Sequence, residues 1–81
     1  MSKIRIFCND GTDMVIARDK IIGMIMHKET ADGGVEYYKL EIMTMHSNKI
    51  CFQSNPALQT VDNYMTNCSL WSIYNEFVEG E

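Results

Sequence analysis

Three observations predict an α+β domain, an antiparallel β-meander of four to five strands packed by a C-terminal helix. Apolar residues recur with period two as far as about residue 53. Gly-containing turns cut that stretch into pieces of strand length. A Ser54-Asn55-Pro56 step then gives way to helical spacing. At 81 residues, numbered 1–81, the chain makes a single domain, with strands over about 3–53 and a helical region over about 55–78.

The first strand is Lys3 to Asn9, with Ile4, Ile6 and Cys8 alternating against Arg5 and Phe7. Asp10-Gly11 follows as a tight turn, since both residues tolerate positive φ. Asp13 to Ala17 is the second strand, and Arg18-Asp19-Lys20 interrupts before a third over Ile21 to Glu29. Thr30-Ala31-Asp32-Gly33-Gly34 is a loop. Val35 to His46 is the longest strand, with Tyr38, Leu40, Ile42 and Thr44 on one side and Val35, Tyr37, Met43 and Met45 on the other. Ser47-Asn48 turns the chain into a last short strand, Lys49 to Gln53.

Beyond Gln53 a capping side chain precedes Pro56, placed where a missing N–H does no harm. Leu58, Val61, Met65 and Cys68 fall on one helical stripe. Leu70, Tyr74, Phe77 and Val78 fall on another, roughly 140° around at about 100° per residue. One straight helix would thus be apolar on two faces. The sequence allows a kink or split near Cys68, with Ser69 capping a second helix, or a partner on the second face. A strand over Leu70 to Glu79 is the third option, and the helical one is preferred.

Charge is divided along the chain. All seven Lys and Arg precede residue 50, balanced there by seven acids, while Asp62, Glu76, Glu79 and Glu81 carry the whole net charge of −4. Such a C-terminal end repels nucleic acid and attracts basic partners. The bases are scattered among nearby acids, as in Arg18-Asp19-Lys20, which argues against a phosphate-binding surface. Seven Met suit an adaptable core, and a chain this small buries only roughly 60% of its unfolded surface. Cys8, Cys51 and Cys68 read as reduced, mostly buried thiols of a cytoplasmic protein without a targeting or membrane segment.

No catalytic, cofactor or metal motif stands out, and the reading is of a protein that is not an enzyme. His27, His46 and the three Cys lack ligand spacing, and the thiols sit on apolar faces that suppress ionisation. G-x-S-x-G, H-E-x-x-H and phosphate-cradling glycine loops are missing. The aromatic residues Tyr64, Trp71, Tyr74 and Phe77, interleaved with Asp62, Glu76 and Glu79, form the candidate partner-binding set. The alternative set is for a nucleotide: Tyr37 and Tyr38 to stack a base, Lys28 or Lys39 to meet a phosphate.

The order of strand, Asn-Asp-Gly turn, strands with Ile21-Ile22, hairpin, Phe52 and Asn-Pro-started helix resembles flagellar FlbD-like proteins and LytTR-type DNA-binding domains over residues 4–66. The chain departs from them where a basic readout surface would stand, so no DNA-contacting residue is implied. In size, acidity and lack of catalytic motifs it is similar to phage-encoded counter-defence proteins, including anti-CRISPR proteins. That resemblance implies an inhibitor acting in the host cytoplasm, which blocks a nucleic-acid-handling complex by occupying its basic groove. Two alternatives stay open: a nucleotide-sequestering protein with a pocket at a dimer interface, and a self-associating assembly subunit.

Overall fold

In the first strand every second residue is apolar, and that alternation sets the architecture. A computed structural model describes residues 3–46, 49–55, 57 and 63–79. Ile4 and Ile6 of β1 (Lys3–Phe7) and Ile16 of β2 (Asp13–Ala17) are buried, while Lys3, Arg5 and Phe7 face outward. The two strands form an antiparallel hairpin pairing Lys3 with Ala17 through Phe7 with Asp13. Its turn includes Asp10-Gly11 as expected but begins earlier, since β1 ends at Phe7, and only Gly11 of the pair has positive φ. The Asp10 carboxylate accepts the Thr12 N–H at 2.9 Å, and Gly11 takes φ 98°.

A single 3-10 turn, Arg18–Lys20, leads into the second sheet. There β3 (Ile21–Thr30), β4 (Glu36–Thr44) and β5 (Ile50–Gln53) run antiparallel in that order. A bulge between Ile21 and Gly23 leaves Ile22 unpaired, so β3 bends at its start. Met24, Met26, Leu40, Ile42 and Phe52 turn one face of this sheet toward the hairpin core.

The C-terminal part departs from the predicted boundaries. The helical region expected over about 55–78 is interrupted, because Asn63–Tyr64 is a short strand, β6, parallel to β5. The backbone there is already engaged: Met65 N–H donates to the Gln53 carbonyl at 2.9 Å, and Asn9 N–H to the Tyr64 carbonyl at 2.8 Å. Ser54 prolongs the β4–β5 pairing, exchanging backbone and side-chain hydrogen bonds with Tyr38. Asn55 does cap locally, its Oδ1 accepting the Ala57 N–H at 2.9 Å. Pro56, Leu58 and Val61 lie outside the described residues.

The helix itself, α1, spans Asn67–Glu79, and the strand option for this stretch is set aside. Its cap is Thr66, not Ser69. Thr66 Oγ1 accepts the Ser69 N–H at 3.2 Å, three residues on. Leu70 and Ile73 are buried, with Tyr74 and Phe77 partly so, while Val78, grouped with Leu70, Tyr74 and Phe77 on one stripe, is exposed. At the far end Arg18 fastens the last turn. Its guanidinium donates to the Phe77 carbonyl and lies 5.5 Å from the centre of the Phe77 ring.

Ile4, Ile6, Cys8, Leu40, Ile42, Phe52 and Leu70 are fully buried together, so hairpin, sheet and helix share one core. Thr66→Ala should therefore lower unfolding stability by about 1 kcal/mol, whereas Thr66→Ser keeps it. Urea denaturation of the three proteins checks this.

Candidate functional site

α1 has an inner line, Leu70, Ile73 and Phe77, and a second line that does not reach the core. Trp71 and Val78 are seven residues apart and so lie within about 20° of one another on the helix surface. They are 38% and 57% exposed. Tyr74, between the two lines, is half-buried. Glu79 stands about 80° and Glu76 about 140° around the helix from Trp71, both exposed.

Trp71 is nevertheless held in place. Its ring meets Tyr38 edge-on at 5.5 Å between centroids and Tyr74 at 5.6 Å. Each such pair contributes about 0.5–1.5 kcal/mol beyond area burial. The result is a rigid aromatic side chain with one edge in solvent, the arrangement found in interface anchors.

The structure thus unites Trp71 and Tyr74 from the predicted partner set, and adds Tyr38 to them. Phe77 is turned inward and covered by Arg18. Tyr64 belongs to β6, ahead of the helix, and its carbonyl joins the hairpin. Asp62 lies outside the described residues. The alternative ligand set is divided by the pleat of β4. Tyr38 stands opposite Lys28 on the core-facing side, while Tyr37 and Lys39 point to the other side, opposite Glu29 and His27. Lys28 pairs with Glu36 at 3.5 Å.

That other side of the sheet carries a network the sequence reading missed. His27 Nδ1 lies 2.8 Å from Glu29, its Nε2 lies 3.1 Å from Glu41, and Lys49 reaches Glu41 at 3.2 Å. The i, i+2 spacing of His27 and Glu29 places both on one face, a readable signal; Glu41 needs the strand register. Lys49 above all holds the Glu41 carboxyl below the usual carboxylate range, against an opposing push from desolvation, and His27 adds to the lowering. On the hairpin, Arg5 grips Asp13 at 2.7 Å and likewise lowers its pKa. Apart from His27–Glu29 within β3, these pairs cross strands, so Arg5 and Lys49 are matched by acids other than their sequence neighbours.

The thiols differ from expectation in one respect. Cys8 is buried and its pKa is pushed up to about 11 by desolvation, with the Asp10 charge adding to the effect. Cys51 is only half-buried and Cys68 is exposed in the first turn of α1, so neither is sealed in an apolar face. Among the described residues no three His, Cys, Asp or Glu side chains converge as metal ligands, and no helix is long and apolar enough to cross a membrane.

Two outcomes follow from this chemistry. Alkylation of the native protein near pH 8 should modify Cys68 first and leave Cys8 untouched until denaturant is added, as peptide mass spectrometry would record. A carboxyl with a depressed folded pKa contributes stability above its unfolded pKa and loses it as pH falls through the folded one. Acidification from about pH 5.5 to 3 should therefore lower the Tm of the wild type more than that of Lys49→Met, which lacks the main cause of the shift.

Comparison with protein-family models, with curated proteins and with solved structures finds no match to this chain.

Proposed function

We propose that this chain is a non-enzymatic binding protein that docks the outer line of α1 into a basic groove of another protein. The observation that carries the reading is Trp71, fixed by Tyr38 and Tyr74 yet 38% exposed, with Val78 prolonging the apolar line and Glu76 and Glu79 in a last turn that has no base of its own. A helix that offers apolar anchors at i and i+7 fits a helix-in-groove mode of recognition. Its rigid anchor loses little entropy on binding. The neighbouring acids favour a groove lined by Lys and Arg, and long-range attraction speeds the encounter.

A groove of that composition is one that handles phosphate. The finer reading is therefore an inhibitor that covers the nucleic-acid-binding surface of a host complex, as the resemblance to phage counter-defence proteins implies. The partner in that case is a host protein or ribonucleoprotein, and the chain itself touches no nucleic acid. The nucleotide-sequestering alternative draws less support, since Tyr37 and Tyr38 occupy opposite faces of β4 and offer no shared platform.

Affinity capture from a host lysate, followed by titration of the purified partner, tests the proposal. Trp71→Ala should weaken binding by roughly 30-fold, the loss of a 2 kcal/mol anchor. The double variant Glu76→Lys, Glu79→Lys should mainly slow association. Nucleic acid should compete with the wild type for the captured partner. Undiminished affinity in Trp71→Ala would count against this surface.

A further inference from the structure

The face of β3 and β4 turned away from α1 holds the most exposed apolar group on the sheet. Ile25 is 43% exposed in the middle of β3, Ile22 of the bulge 67%, and Met45 just past β4 55%. Met43 shares this side, and its Cε would sit 2.9 Å from a Cβ placed on Gly23. Gly23 thus lets Met43 lie flat across the sheet, leaving a low surface that a second layer can approach. Beside it stands the mixed-charge row of His27, Glu29, Lys39, Glu41 and Lys49.

We propose that this face seats a second copy of the chain, sheet against sheet, about a two-fold axis. A two-fold interface brings a patch against itself, so its charges must be self-complementary. This face meets that condition, with cations and carboxylates side by side around an apolar centre. The other exposed apolar surfaces do not. The last turn of α1 carries Glu76 and Glu79 and no base of its own, so two copies docked through it would bring like charges together. Phe7 and Val15 on the hairpin are accompanied by Lys3 and Arg5 against the single acid Asp13.

The contact uses the face of the sheet and not its edge. β3 is an edge strand, but its bulge twists the first residues away from flat pairing, one of the devices that discourage edge-to-edge association. A chain of 81 residues also gains from a second layer, since its own core is thin. α1 packs on the opposite face, so the dimer leaves both copies of Trp71 available to the partner proposed above. The inference does not depend on that partner.

Sedimentation velocity of the full chain, up to about 200 µM, tests it. The wild type should be a dimer. Ile25→Glu sets two carboxylates against each other near the axis and should raise the dissociation constant by well over tenfold, to a folded monomer by circular dichroism. Ile25→Thr keeps a strand-forming residue, serves if the Glu variant fails to fold, and should weaken the dimer by about tenfold. Val15→Glu and Trp71→Ala should leave it intact. A monomeric wild type, a dimer unaffected by folded Ile25 variants, or one lost with Val15→Glu or Trp71→Ala would overturn the assignment.

Discussion

The segment from Asn63 to Met65 ties the two sheets together, and the rest of the structure depends on it. The Tyr64 carbonyl accepts from the turn of the hairpin, and the Met65 N–H donates to the last residue of β5. Hairpin and sheet are thereby held at one spacing with their apolar sides facing. A two-stranded hairpin alone is marginal in water, and this backbone link supplies the second surface it needs. Met65, itself buried, adds a side chain to the same joint.

That joint also decides where the helix begins. Backbone groups committed to two strands are unavailable to a helical turn, so α1 begins only past Met65, with the Thr66 hydroxyl as its cap. From there the helix crosses the core and is anchored at its far end by Arg18, contributed by the turn between the hairpin and the sheet. Both ends of α1 are thus fixed by elements far away in sequence. The fixed orientation leaves Leu70 and Ile73 inward and Trp71 and Val78 at the rim.

Two kinds of surface result, with different electrostatic logic. α1 itself combines aromatic area with acids and contributes no base, which suits a cationic partner of another kind. The far side of the sheet combines apolar area with paired charges of both signs, which suits its own copy. The partition of charge along the chain explains the contrast: the bases end at Lys49, so strands receive both signs and the helix only one.

The sequence by itself determined the α+β class, the first hairpin with its Asp10-Gly11 turn, and the long strands around Gly33-Gly34. Those features are set by local rules, namely period-two burial and the freedom of glycine at positive φ. It also marked the apolar surplus of Leu70 to Val78 and the neighbourhood of Trp71, because an excess of apolar positions on a helix is visible without a fold. Tertiary structure decided the rest. Asn63–Tyr64 became a strand because partners distant in sequence satisfy its backbone, and Val78 stayed outside because Arg18 fixes the rotation of the last turn. Tyr38 joined Trp71, and Glu41 joined His27, only through strand register and helix docking, which no spacing within one segment records.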